Sequence, residues 1–241
     1  MIGDIKQATV VREADGWYVS IQTEYVITGP QQARGDIGVD RGVAVFAATS
    51  DGELVEPLSA FAQSIKQLTR LQRQLSRKEK GSKNRRKARA KVARMHQHIR
   101  RQREDFLHHV STRWSKNHAL IVLEDLRIGN MTRSAKGTVE KPGRNVAQES
   151  GLNRSILDQG WGGFAEMLDY KLAQRGARLV LVPPQYSSQE CSECGHVASE
   201  NRTTRDLFRC VKCGHTEHAD VNAAKVVLKR GRLVLGHELA R

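Results

Sequence analysis

Four cysteines, the only ones in the chain, stand as two pairs at Cys191, Cys194, Cys210 and Cys213. The spacing C-x2-C-x15-C-x2-C lets two tight turns each offer two thiolates to one tetrahedral metal ion. Gly195 and Gly214 follow the pairs and permit the chain reversal that aims the sulfurs inward. Four thiolates suit zinc and iron alike, and the long polar stretch between the pairs reads as a zinc ribbon. With four protein ligands such an ion has no open position and is structural. Asp40, Glu124 and Asp220 carry a second kind of chemistry. They stand at expected strand ends or helix starts, where open α/β sheets bind ligands. Three converged carboxylates repel one another and call for a hard cation such as magnesium. Two such ions about 4 Å apart activate a water and stabilise the leaving oxygen of a phosphodiester. Each acid alone also fits a plainer role: turn cap for Asp40, loop entry for Glu124, helix N-cap for Asp220.

The elements that must position these residues follow from period and punctuation. Residues 8–27 alternate as two strands around Asp15-Gly16, and Gly29-Pro30 with QQARG reads as a stop and a linker. Strands are expected at 36–40, 43–49 and in the ELVEP that follows Asp51-Gly52, giving a three-stranded meander. HALIVL at 118–123 fits a buried strand ending at Glu124-Asp125. Residues 127–152, rich in Gly, Ser, Asn, Lys and Arg, read as one long mobile loop. One helix is expected over 153–175, closed by Gly176, then a strand at 177–182 stopped by Pro183-Pro184, and a last helix at 219–229. Strands joined by helical crossovers pair in parallel, so the expected core is a mixed α/β sheet. Trp17, Trp114 and Trp161 sit on apolar stripes and are expected in the core.

Charge is concentrated in one place. The chain of 241 residues carries a net +14. Residues 66–116 hold +15 of it, and the remainder comes to −1. Ile65, Leu68, Leu71 and Leu75, and after Gly81-Ser82 Val92, Met95, Ile99, Phe106, Val110 and Trp114, recur at helical spacing. The segment reads as a helical hairpin with one apolar seam. Its other faces fit a solvated surface, but so strong an excess of one sign favours a surface that binds phosphate. The candidates to do so are Arg73, Arg77, Lys78, Lys83, Arg85, Arg86, Lys87, Arg89, Lys91 and Arg94. Such contacts position nucleic acid without reading its sequence. His96, His98, His108 and His109 read as solvated, and His196, His215 and His218 lie beside a ribbon whose cysteines already complete a zinc site. No stretch is long and apolar enough to span a membrane and the first residues lack a signal-peptide core, so a cytoplasmic location is expected and paired cysteines favour metal over disulfide.

The strings GDIGVDRGVAVFAATSDGE, QRQLSRKEKGSKNRRKARAKVARMH, IVLEDLRIGNM, LDQGWGGFAEMLDYKLAQRGARLVLV, SSQECSECGH and HADVNAAKVVL occur in this order. Together, from about residue 8 to 230, the chain resembles the TnpB (OrfB) family of transposon-encoded proteins, relatives of the type V CRISPR effectors. The resemblance implies an RNase H-like, RuvC-like nuclease fold with an inserted basic helical hairpin and an inserted four-cysteine zinc ribbon. It implies Asp40, Glu124 and Asp220 as the catalytic, magnesium-binding acids, and the four cysteines as zinc ligands. The function it implies is guide-RNA-directed cleavage of DNA, with DNA and a guide RNA as partners. The implied division is 1–30 as the last strands of a wedge-like barrel, 31–184 as nuclease core with the basic hairpin at 61–116, 185–217 as ribbon, and 218–241 as the last core helix and tail. Typical members carry a long recognition half before this point, which the chain is expected to lack. The alternative expectation is a shortened, nuclease-impaired protein that binds DNA or RNA or regulates transposition.

Overall fold

The computed structural model of the chain describes residues 3–26 and 35–239. The expected strand end at Ile27, the stop at Gly29-Pro30 and most of the expected linker lie outside the described residues. The chain divides into two compact units, one of residues 1–29 and 59–106, the other of 30–58 and 107–241.

The first unit holds an antiparallel pair, β1 (Asp4–Arg12) and β2 (Trp17–Glu24), and the helices α1 (Ala60–Ser76) and the first part of α2 (Lys83–Asn117). Trp17 is 69% exposed, against the expectation of a core position. The two strands pair only with each other among the described residues, so their alternation leaves both apolar rows outside a core. What fixes the hairpin is polar. Asp15 accepts bonds from Gln97 (2.7 Å) and Arg101 (2.7 Å) of α2, and Glu13 accepts from Arg100 (2.8 Å). The Arg101 guanidinium also lies 4.6 Å from the centroid of the Tyr18 ring. Between the helices, Ser82 Oγ accepts from the Arg85 backbone nitrogen at 3.1 Å and caps α2. The Arg85 guanidinium turns back to the carbonyls of Leu75 (3.1 Å) and Lys78 (2.9 Å), which the end of α1 leaves without intrahelical partners.

The second unit is a five-stranded mixed sheet in the order β5-β4-β3-β6-β7, where β3 is Asp36–Arg41, β4 Ala47–Thr49, β5 Leu54–Val55, β6 Leu120–Glu124 and β7 Arg178–Val182. β3, β4 and β5 form the antiparallel meander, while β3, β6 and β7 run parallel. Residues 43–46 are a bend and not strand, so β4 is shorter than its apolar run suggested. All five residues of β6 are buried, as a central parallel strand requires.

Residues 125–177 depart most from expectation. They contain α3 (Ile128–Met131), α4 (Val146–Gln159) and α5 (Trp161–Ala173), so the expected long loop is shorter and the expected single helix is two. Gly160, at φ 70, breaks the path between α4 and α5 with a left-handed residue that glycine adopts without strain. The first half of α4 shows no apolar stripe. The helix is tied to the preceding segment midway along its length: Asn153 Nδ2 donates to the carbonyls of Thr132 (3.1 Å) and Arg133 (3.2 Å). Phe164 of α5 meets Phe46 and Trp114 edge-on, with centroids 5.1 and 5.6 Å apart. Trp114 and Trp161 are buried, as expected. Lys171 of α5 is buried too, and its ammonium donates to the His108 carbonyl (3.1 Å), Ser111 Oγ (2.7 Å) and Thr112 Oγ1 (2.8 Å).

The last helix, α6 (Ala219–Leu239), lies across the sheet face that carries Gly38, Leu120, Val122 and Val182. The short strands β8 (Leu207–Arg209) and β9 (Thr216–His218) precede it in the cysteine segment. No described helix is long and apolar enough to cross a membrane. A Cβ on Gly38 would collide with the Ala224 carbonyl and stand 2.5 Å from the Leu228 nitrogen, both backbone atoms of α6. Gly231 gives the same close passage over β6, where a Cβ would stand 2.5 Å from Val122 Cγ1. Gly38→Ala should therefore force α6 away from β3 and cost about 2 kcal/mol, a fall in Tm of roughly 4–8 °C by thermal denaturation. An unchanged Tm would show that the helix yields without strain.

Candidate active site

The close passage of α6 brings the three acids together. Val39 pairs with Leu123 in register, so Asp40 and Glu124 are the next residues on neighbouring parallel strands, at the same end. Strand alternation puts them on the face of Gly38 and Val122, the face α6 covers. Asp220 lies four residues before Ala224, one helical turn or about 6 Å of rise, while Asp40 lies two residues after Gly38, about 7 Å of strand. The spacings match, and Asp220 reaches the end of the sheet where Asp40 stands.

The electrostatics record that convergence. Burial, then the charges of Glu124 and Asp220, push the Asp40 carboxyl up to about 8, against the pull of Arg202 and Arg41. Burial also raises Glu124, which is 5% exposed, while Ser187, Arg41 and Arg230 oppose the rise. Arg41, itself buried, donates from Nη2 to the Glu124 carbonyl and from Nη1 to the Trp161 carbonyl at 3.4 Å. Its charge is opposed by burial, which lowers it to about 10. Arg202 Nη2 lies 3.2 Å from Asp220 Oδ1. Arg41, Arg202 and Arg230, the last shared with the Glu190 carboxylate, thus face three crowded carboxylates, whose hard oxygen donors suit a magnesium-like ion.

In the cysteine segment the four sulfurs lie within 4.8 Å of one another, with Cys191 to Cys213 at 3.7 Å and Cys194 to Cys210 at 3.6 Å. A tetrahedron of zinc–sulfur bonds of about 2.3 Å has edges of about 3.8 Å, so the donor set fits zinc. Gly195 and Gly214 donate to the carbonyls of Cys191 and Cys210, each at 2.9 Å, closing two matching turns. Burial works against ionisation of Cys210, yet the backbone groups of Cys213 and Lys212 bring its thiol down to about 6. Cys213, despite a bond from the His215 backbone, is pushed up to about 12 by Cys194, burial and the other sulfurs. Four thiolates need a cation to coexist there. Asn201, fully buried, joins the two turns by donating to the carbonyls of Gln189 (2.8 Å) and His196 (3.1 Å) and accepting from the Val211 nitrogen (2.9 Å).

On the basic hairpin, Arg73, Arg77, Lys78, Lys83, Arg86, Lys87, Arg89, Lys91 and Arg94 are exposed. Among the described residues no salt bridge joins any of them to a carboxylate. Arg73 and Arg77 line one surface groove of about 570 Å³ with Lys66 and Arg70, and Lys78, Lys87 and Lys91 line another of about 540 Å³. Arg85 is the exception, with its guanidinium committed to the end of α1.

A family model described as "Probable transposase" (OrfB_IS605) matches residues 18–135, and one described as "Cas12f1-like, TNB domain" matches residues 161–227. Over 234 residues the sequence is 50% identical to an Escherichia coli K12 protein named as an RNA-guided DNA endonuclease, InsQ. This chain belongs to the TnpB/OrfB family. A Streptomyces pristinaespiralis relative, also named as an RNA-guided DNA endonuclease, is 35% identical over 225 residues. These matches take in 97% and 92% of the chain but 58% and 52% of the two relatives, so this family member spans little more than half their length. The fold is like that of Cas12f1 in its complex with guide RNA and target DNA, at a TM-score of 0.50, 18% identity, and coverage of 91% of this chain and 55% of that one.

Several residues of the site carry little signal in the sequence. Arg41 directly follows Asp40 and read as the first residue of a turn. Ser187 and Arg202 were lost in polar stretches, and Asn222 in a helix. Only the adjacency of Arg41 to Asp40 offered a signal. The Asp40 carboxyl binds its proton more tightly in the folded chain than in the unfolded one. In magnesium-free buffer, stability is therefore fullest below about pH 4 and falls as pH rises through about 8. Asp40→Asn removes that dependence. From pH 5 to pH 8 the variant should gain a few kcal/mol on the parent in denaturant titrations, at about 1.4 kcal/mol per pKa unit. A constant difference across that range would contradict the crowding of charge at Asp40.

Proposed function

We propose that this chain is a transposon-associated, magnesium-dependent DNA endonuclease of TnpB type, with an RNase H-like, RuvC-like core and RNA-guided choice of target. The observation that carries the reading is the meeting of Asp40, Glu124 and Asp220, from β3, β6 and α6, at one end of the sheet. The names of the relatives and the likeness to the Cas12f1 fold support the same reading.

In this reading the three carboxylates hold magnesium. When bound, magnesium supplies an activated water and stabilises the leaving oxygen of the phosphodiester. Arg41 fixes the backbone of Glu124 through its carbonyl, so that the acid is aimed from a rigid strand end. Arg202 offsets the charge of Asp220 from the cysteine segment. The exposed cations between Arg73 and Arg94 contact phosphates of DNA or of guide RNA without reading bases. The four cysteines hold a structural zinc. The domain division of 1–30, 31–184, 185–217 and 218–241 belongs to this reading, and so does a cytoplasmic site of action.

Purified protein given magnesium and single-stranded DNA, or DNA matched to any RNA that copurifies with it, should release cut products. Asp40→Ala should slow cleavage roughly a thousandfold, the several kcal/mol that a metal site contributes to a phosphoryl transition state. A variant that cuts as fast as the parent would remove Asp40 from the mechanism. If no substrate is cut while binding stays tight, salt-sensitive and indifferent to chelation, the chain is a binding protein without catalysis. Elemental analysis should find one zinc per chain, and Cys194→Ser should lose most of it; zinc content unaffected by that change would point to another site.

A further inference from the structure

One side-chain partner of Glu124 comes from outside the acids and arginines of the site. Ser187 lies beyond the end of β7, 5% exposed, and its Oγ stands 2.6 Å from Glu124 Oε1. The same oxygen is 3.0 Å from the Pro184 carbonyl. A hydroxyl has one proton, and the shorter contact to the charged acceptor is the stronger bond. We propose that Ser187 is a positioning residue: it fixes the orientation of the Glu124 carboxylate and so sets the affinity of the acid cluster for its divalent cation. The inference rests on the nuclease reading above and deepens it.

Three further features hold Ser187 where this role needs it. Tyr186, immediately before it, has φ 61, a left-handed backbone that costs a residue with a Cβ about 1 kcal/mol or more. The Tyr186 ring is 65% exposed, so packing of that ring does not explain the strained conformation. The turn it makes is the one that faces Ser187 inward. Arg230 of α6 clamps the segment on both sides, donating to the carbonyls of Pro183 (2.8 Å) and Gln185 (2.9 Å) and pairing with the Glu190 carboxylate (2.5 Å). Asn222, fully buried and two residues from Asp220, donates to the Glu190 carbonyl (2.8 Å) and accepts from the Ser192 nitrogen (3.0 Å), on either side of Cys191. The segment that presents Ser187 to Glu124 is thus anchored to the helix that carries Asp220 and to the first cysteine turn. Partners that orient a metal ligand in this way typically account for 10–100-fold in cation affinity or activity.

The test uses Ser187→Ala and Ser187→Thr in the full chain, with manganese binding followed by electron paramagnetic resonance in the absence of nucleic acid, and the magnesium dependence of cleavage beside it. Ser187→Ala should weaken manganese binding 10–100-fold and raise the half-saturating magnesium concentration for cleavage in step, at unchanged zinc content. Ser187→Thr, which keeps the hydroxyl, should recover most of the loss. Manganese affinity in Ser187→Ala equal to the parent's would overturn the proposal. A Ser187→Thr no better than Ser187→Ala would do the same, because the loss would then come from packing. The manganese titration needs no substrate, so a parent that binds manganese and cuts nothing speaks against the nuclease reading alone; a parent that binds no manganese ends both.

Discussion

The backbone of α6 passes over Gly38 at a distance that leaves no room for a side chain. Much of the sheet's chemistry depends on that passage. A helix held further from β3 would still cover Leu120, Val122 and Val182, but its first turn would no longer bring Asp220 to the end of β3. Because strand and helix advance by comparable distances over two and four residues, one point of contact at Gly38 fixes a second at Asp40 and Asp220. Gly231 over Val122 supplies the other end of the seat and keeps the helix from pivoting. The apolar seam between α6 and the sheet, with Val227 at its centre, holds together what the acids alone would drive apart.

The cost of that crowding appears in the residues around it. Arg41 gives up solvent to sit beneath Glu124 and Trp161, with its Nε left without a partner among the described residues. A guanidinium buried with an unmet donor is unfavourable unless nearby charge compensates, and here the carboxylates of Glu124, Asp40 and Asp125 do. The cysteine segment contributes from the opposite side. Arg202 reaches Asp220, Ser187 reaches Glu124, and Asn222 ties the start of α6 to the flanks of Cys191. A metal held by the four sulfurs would have no open position of its own, yet the segment that carries them bears directly on two of the acids.

Much of this was legible in the sequence because it follows from short-range rules. The cysteine spacing, the apolar run before Glu124, the alternation of β3 and the helix that opens at Asp220 all announce themselves locally, and the structure has each element. The failures have a common cause. Trp17 lies on a well-patterned strand, but a pattern records which face is apolar and not whether anything covers it. The start of α4 carries no stripe, and the helix is tied midway along by Asn153 bonding to Thr132 and Arg133, twenty or more residues earlier. Gly160 divides α4 from α5 although the apolar residues on either side of it read as one face. Arg41, Ser187, Arg202 and Asn222 act across gaps of 18 to 120 residues, through a few polar bonds that leave no period in the chain.

The distribution of charge gives a last physical constraint. The acid cluster belongs to the sheet unit, whereas the exposed cations from Arg73 to Arg94 belong to the unit built on α1 and α2. Within the latter, two carboxylates are committed to one spot: Glu13 and Asp15 bind Gln97, Arg100 and Arg101 and so fix the β-hairpin to α2. Among the described residues no salt bridge joins the nine exposed cations before it to a carboxylate. Like charges spaced along a helix repel, and a chain tolerates them where an outside polyanion supplies the neutralising charge. Fold stability alone gives no reason to hold nine such residues exposed, since a mixture of signs would serve it better. The acids of the sheet unit face the mirror problem and invite small, hard cations.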